Sequence, residues 1–410
     1  MSSRVVVTGL GAAAPNGLGL DEYWDATIDG TSGIGRISRF DPAQYPSQLA
    51  GEITTFEPAE HLPGRLLPQT DWMTKLALVC ADWALADAGV DPGALDPFDM
   101  GVVTASSSGG FEFGQNELRA LWSKGGKYVS AYQSFAWFYA VNTGQISIRN
   151  GMKGSSGVLV SDQAGGLDAI AQAARQVRKG TQLVMSGGMD AAICPWGWVA
   201  QLAGGRMSTS TDPERAFLPF DPSAQGHVAG EGGALLVLED AEHAAERGAA
   251  TVYGEIIGYG ATFDPAPHRV ATGEVESGLG EAIRQALRDA DITPDEVDVV
   301  FADAAGIPHL DRDEAVAIAK VFGPRGVPVT APKVLVGRLN SGGAPLDVAT
   351  ALLALRNGVV PPTPGVAPAE DYDLDLVTEA RPAAGMRTAL VIARGHGGFN
   401  STLLVRTAGN

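Results

Sequence analysis

At 410 residues, with 45% hydrophobic and 19% charged residues, the chain is long enough for one large well-cored domain or two fused ones. Its net charge of -18, from 29 Lys and Arg against 47 Asp and Glu, makes nucleic acid and anionic membrane poor partners. Its two cysteines, Cys80 and Cys194, lie outside any CxxC spacing, so neither a disulfide scaffold nor a metal site is expected, and both read as small buried hydrophobes.

Residues 5–10 read as a strand. No charged-then-apolar leader precedes them, and no apolar stretch reaches the ~18–20 residues of a membrane span, so a cytoplasmic protein is expected. Short apolar runs at 100–105, 157–161, 183–187 and 233–238 read as further strands, with helical patterns at 73–88 and 166–179. Later strands are expected at 252–260, 297–302, 329–331, 388–394 and 401–406, and helices at 278–290, 311–322 and 346–357. The Pro- and Asp-rich stretch 361–375 reads as a surface connection. This alternation argues an α/β protein with covered sheets. Val5-Val-Val-Thr-Gly-Leu-Gly-Ala-Ala12 and Ile256-Ile-Gly-Tyr-Gly-Ala-Thr262 open two stretches alike, which suggests a duplicated unit with halves at 1–250 and 251–410.

Within the first half, Gly157-Val-Leu-Val-Ser-Asp-Gln-Ala-Gly-Gly-Leu-Asp168 reads as a buried strand, a tight turn and a helix start. A side chain at such a turn sits beside a helix N-terminus, which suits an activated Cys or Ser and a nearby oxyanion. Gln163 stands there instead, and an amide cannot be deprotonated to a nucleophile.

Several stretches together resemble the ketosynthases of the thiolase-like fold over nearly the whole length. They are the opening Val5-Val-Val-Thr-Gly-Leu-Gly, Ser32-Gly-Ile-Gly, Arg39-Phe-Asp41, Ala50-Gly-Glu52, Pro219-Phe-Asp221, Gly226-His-Val-Ala-Gly-Glu-Gly-Gly-Ala234 and Gly395-His-Gly-Gly-Phe-Asn-Ser401. The resemblance implies duplicated α/β halves in an α-β-α-β-α layering. A condensing ketosynthase uses a cysteine thiolate and two histidines. The cysteine position falls on Gln163. The first histidine position, within Ala302-Asp-Ala-Ala-Gly-Ile-Pro308, falls on Asp303. The second, five residues after Lys333, falls on Arg338. An ionised Asp would repel an enolate, and Arg cannot shuttle protons near neutral pH. No catalytic residue is therefore assigned. Lys333 is expected in an ion pair, His309 in a solvated loop, and His396 in the terminal glycine loop bordering the site.

Gln in the Gln-Ala-Gly-Gly-Leu-Asp context, together with Ser134-Phe-Ala-Trp-Phe-Tyr-Ala-Val-Asn-Thr-Gly-Gln-Ile-Ser147, resembles the chain length factor, or ketosynthase beta subunit, of bacterial type II polyketide synthases. That branch pairs as a heterodimer with a Cys-bearing ketosynthase alpha subunit. The resemblance implies a poly-β-ketone built from malonyl units on an acyl carrier protein, and an interface tunnel that limits its length. It implies no cofactor or metal beyond the carrier's phosphopantetheine, and membership of an acyltransferase complex without independent catalysis. Phe111, Gly114 and Leu118, on one face if 111–118 is helical, are expected at the tunnel end, with Gly114 making it roomy. Phe135, Trp137 and Phe138 are candidate interface aromatics. The acidic chain is expected to leave carrier docking mainly to the partner. The alternative enzymatic reading is a Gln-dependent malonyl decarboxylase that supplies the starter unit.

Overall fold

The computed structural model describes residues 3–272 and 275–408. The principal strands of the N-terminal half are β1 (Val5–Ala14), β2 (Met100–Ala105), β3 (Ser156–Leu159), β4 (Leu183–Asp190) and β5 (Gly232–Asp240). Five more follow: β6 (Gly254–Phe263), β7 (Val299–Phe301), β8 (Pro328–Thr330), β9 (Thr388–Gly395) and β10 (Phe399–Arg406). The principal helices are α1 (Trp72–Asp87), α2 (Phe111–Lys124), α3 (Gln163–Arg178), α4 (Pro195–Leu202), α5 (Leu279–Ala290), α6 (Pro308–Phe322) and α7 (Gly343–Asn357).

The two halves repeat one topology. The first runs β1-β5-β4-β2-β3 across the sheet, and the second runs β6-β10-β9-β7-β8, with the short strand Asp375–Leu376 added parallel beyond β8. In each, the last strand in sequence is antiparallel to both neighbours, and the remaining pairs are parallel. The halves meet where β1 pairs antiparallel with β6, Val6 opposite Glu255. The repeat extends to detail. A register shift falls between Val7 and Gly9 on β1 and between Ile256 and Gly258 on β6. On β1, a Cβ on Gly11 would sit 2.0 Å from the Cys80 carbonyl oxygen of α1; on β6, one on Gly260 would sit 2.0 Å from that of Ala282 in α5. The Gly-x-Gly signature therefore marks the same close approach of strand to outer helix in both halves.

Layering follows from burial. α7 is buried along nearly its whole length, and α3 along most of it. Both touch strands of each half, so they form a shared middle layer between the sheets. α1 covers the outer face of the first half, and α5 and α6 cover the second. The chain thus has the α-β-α-β-α order. The Cys80 and Cys194 thiols are both buried and free. Among the described residues, no helix is long and apolar enough to cross a membrane.

One expected surface segment is not a simple connection. Within 361–375, Thr363, Val366, Tyr372 and Leu374 are buried. The Thr363 hydroxyl accepts the Ala331 N–H at 2.8 Å, and the three larger side chains join the second half's core. The turn-forming composition concealed an apolar set that packs inward.

Candidate functional site

Gln163 is the first residue of α3 and is buried. It follows Asp162, whose φ of 54° lies in the left-handed region, the sharp backbone reversal expected between strand and helix. The glycine-rich loop closes over this turn. The Asp162 carboxylate accepts the His396 N–H at 3.0 Å, and a Cβ on Gly395 would stand 2.2 Å from the Ser161 carbonyl oxygen. Only glycine permits that approach. His396 itself is exposed at the cavity rim.

Asp303 and Arg338 meet beside Gln163. Asp303 lies just past the end of β7, and its backbone N–H and that of Ala304 donate to Glu314 of α6 at 2.7 and 2.9 Å. Arg338 Nη2 lies 3.0 Å from Asp303 Oδ1, and Nη1 donates to the Asp303 carbonyl at 2.9 Å. With its amide oxygen turned to the guanidinium, Gln163 accepts from Nη2, from Nε at 2.5 Å and from Nη1 at 3.1 Å. Asp303 also accepts the Arg394 N–H at 3.0 Å. Burial alone would raise the Asp303 carboxyl; Arg338, Lys333 and Arg394 hold it below its ordinary 3.8 instead. Asp303 is therefore ionised and Arg338 paired near neutral pH. Lys333 Nζ sits 2.8 Å from Asp347 Oδ2, both side chains buried, in the ion pair expected for it.

Gln163, Asp303 and Arg338 line a cavity of about 480 Å³, shared with Arg206, His227 and Arg394. The sequence reading missed all three. His227 and Arg394 lay in or beside quoted motifs, whereas Arg206 carried no signal. His309 is exposed, as expected, but stands in the first turn of α6 rather than in a loop. Pro308, in the same first turn, is tolerated where the backbone N–H needs no helical partner.

Other motifs prove to be scaffold. Arg39 Nη1 donates to buried Glu231 at 2.7 Å, and Glu231 also accepts from Ile53 N at 2.9 Å and Trp72 Nε1 at 3.2 Å. Asp190, at the end of β4, accepts from Ser106 Oγ, Ser107 N and Ser341 N, tying the loop after β2 to the entry of α7.

Phe111, Gly114 and Leu118 lie on α2, away from this cavity. Asp71 accepts the Phe113 N–H at 2.8 Å, and Gln115 Oε1 accepts the Trp196 N–H at 2.7 Å, which fix the helix in place. The space above Gly114 is not open. A Cβ there would lie 3.0 Å from the Trp196 ring, and Trp196 also packs on Phe111 at 4.7 Å between centroids. The room expected at Gly114 is thus taken by an indole from α4. Nearby, Trp137 and Phe138 are exposed and Phe135 is half-buried. Trp122, 83% exposed, and Ile148, 76% exposed, are further exposed apolar side chains of the first half. β3 lies at the sheet edge, with one flank unpaired.

A thiolase-like layering around a sharp strand-to-helix turn, with Gln163, Asp303 and Arg338 gathered there, defines a ketosynthase-type subunit. Residues 2–244 match the beta-ketoacyl synthase N-terminal domain, and residues 253–367 match the C-terminal domain. The chain belongs to the beta-ketoacyl synthase family. It is 60% identical over 407 residues to the tetracenomycin polyketide synthase ketoacyl synthase beta subunit of Streptomyces glaucescens, covering 99% of this chain and 98% of that one. A Streptomyces coelicolor relative, named for actinorhodin polyketide as a beta-ketoacyl synthase 2, is 58% identical over 403 residues and covered to 98% in both chains. Among solved structures, the ishigamide ketosynthase/chain length factor aligns over 100% of both chains, with a TM-score of 0.89 and 26% identity.

Proposed function

We propose that this chain is the chain length factor of a type II polyketide synthase, the non-condensing partner of a Cys-bearing ketosynthase alpha subunit. The observation that carries this is the closed triad: Arg338 bonds both Gln163 and Asp303 where a thiolate and two histidines would act. The identity to polyketide ketosynthase beta subunits supports the same assignment. The partner's cysteine carries the growing poly-β-ketone, extended from malonyl units on an acyl carrier protein through its phosphopantetheine. The carrier docks mainly on the partner, because this chain carries a net charge of -18 and such carriers are themselves acidic.

The pairing surface is the exposed apolar region with Phe135, Trp137 and Phe138 beside the unpaired flank of β3. An edge strand and an apolar patch together favour a protein partner. Phe111, Gly114 and Leu118 line the end of a tunnel completed at that interface, and Trp196 shares this wall. The tunnel shelters a reactive chain from water and limits its length. The halves divide at 250/251, and the first supplies the pairing surface.

The decarboxylase alternative is weaker. It needs a group that stabilises an enolate, and the ionised Asp303 beside Gln163 opposes one. Native mass spectrometry of the chain co-expressed with a Cys-bearing ketosynthase, supplied with malonyl-loaded carrier, tests the proposal. A one-to-one heterodimer acylated only on the partner is expected. A homodimer, or acyl mass on this chain, overturns it.

A further inference from the structure

The closed triad leaves one cation in the same cavity with nothing to hold. Arg206 lies just past α4, half-buried, and lines the cavity. Its guanidinium has no hydrogen bond or ion pair among the described residues. Burial and then the neighbouring Arg338 charge draw its pKa below the ordinary 12.5, yet arginine stays protonated near neutral pH. The nearby carboxylates are committed elsewhere. Asp303 holds Arg338, and Asp162 accepts the His396 N–H. Asp264 accepts from Gly278 N at 2.8 Å and from Asn400 Nδ2 at 2.9 Å.

Two further features belong to the wall of the same space, which His227 and the start of α3 both line. His227 Nδ1 is buried and has no partner among the described residues. Burial, with Arg338 and Arg206 beside it, pushes the imidazole down to about 3, so the ring is neutral and as the Nδ1–H tautomer donates one hydrogen bond. The 16-residue helix α3 also begins here, and the Asp162 side chain gives it no cap. Helix N-termini favour anions. A partnerless guanidinium and an uncapped helix start share one need, a negatively charged oxygen, and a neutral His227 in the same wall is compatible with one. The cavity of about 480 Å³ leaves room for an organic body behind that group.

We infer that this cavity binds a small oxyanion, a carboxylate or a phosphate group, held by Arg206 and His227 at the start of α3. The site lies wholly within this chain and stands whatever partner the chain takes.

The test is thermal unfolding of the assembled protein, titrated with inorganic phosphate and separately with acetate at constant ionic strength. A saturable rise in Tm is expected. Arg206→Gln should weaken the apparent affinity about tenfold or more, the typical loss of a charge-assisted hydrogen bond. Arg206→Lys, which keeps the charge, should retain binding, and it guards against a variant that merely fails to fold. In anion-free buffer Arg206→Gln should melt higher than the native chain, because an uncompensated cation beside Arg338 has been removed. That crossing, more stable when empty and less responsive to anion, is not produced by a purely structural arginine. Response to phosphate alone identifies a phosphate-bearing ligand, and response to acetate alone a carboxylate. Response to both leaves the shared oxyanion chemistry as stated. No saturable response to either, or one that Arg206→Gln leaves unchanged, overturns the inference.

Discussion

Arg338→Ala isolates the lock on the vacant site. In the native chain Asp303 is buried and its carboxylate is balanced chiefly by Arg338 at 3.0 Å. Removing one partner of a buried pair costs about 3–5 kcal/mol, because the other charge stays behind. The Arg394 N–H and the nearby Lys333 charge remain, which places the loss toward the lower end, at ~3–4 kcal/mol. At ~2.1 cal/mol/K per residue, cooperative unfolding of the whole chain carries roughly 0.9 kcal/mol/K, so Tm should fall by about 4 °C. The assay is thermal unfolding at fixed protomer concentration across pH. The pH profile should also change sign. Asp303 is held below its ordinary 3.8, so its contribution is fully present above that value and is lost only as pH falls through the lower folded value. Without Arg338, burial dominates and the carboxyl rises, so stability should instead decline as pH climbs above about 4. Asp303→Ala combined with Arg338→Ala should cost clearly less than the sum of the two. A Tm change below about 1 °C with an unaltered pH profile would refute the view that this pair is tightly coupled.

Gln163→Cys should yield a thiol activated by Arg338 and the start of α3, so iodoacetamide should label it near neutral pH; polyketide output should not rise, since Asp303 and Arg338 stay in place. Gly114→Phe has no room beneath the Trp196 ring, which a Cβ already approaches to 3.0 Å, so the new ring must enter the proposed tunnel. Product analysis should show shorter chains, and an unchanged length would remove Gly114 from the tunnel wall. Arg65→Glu and Lys179→Glu, both at exposed positions, should leave elongation within about threefold if the carrier docks on the partner. A large loss in steady-state turnover would place carrier contacts on this subunit.

Much of the fold was legible because its repeat is written in glycine. Gly9-Leu-Gly11 and Gly258-Tyr-Gly260 mark the same strand-to-helix approach, and no other residue fits there. Gln163, Asp303 and Arg338 stood out through their flanking motifs, and the fold brings the three together. Their mutual bonding was harder to see, since Asp303 and Arg338 are 35 residues apart, though their opposite charges hinted at it. The filling of the space above Gly114 could not be read. Helical periodicity gives the face a residue occupies, not the side chain of α4 that comes to cover it. The segment 361–375 failed for a related reason: turn composition says nothing of which apolar residues a loop turns inward. Arg206 follows two glycines with no motif around it, so only the folded cavity shows what it faces.

A buried ion pair is rarely more stabilising than apolar residues of the same volume, so stability alone does not account for Asp303 and Arg338. Their geometry points to exclusion. Arg338 holds the Gln163 amide at the nucleophile position, and Asp303 pins both Arg338 and the Arg394 backbone beside the glycine-rich loop. An apolar filling would leave a greasy pocket at the elbow, suited to the same acyl chains the partner must retain. At the elbow itself, the Arg338–Asp303 pair makes close approach of an acyl chain to Gln163 costly, because the chain would desolvate these ions without replacing their partners. In the proposed pair of subunits sharing one tunnel, such a lock would send every chain to the partner's cysteine. By the same reasoning Arg338→Ala should do more than destabilise: it should let an acyl group reach the elbow at Gln163 and stay there non-covalently, seen as extra acyl mass retained on this subunit in native spectra. If no such mass appears in a variant that still assembles, exclusion is not what the pair provides.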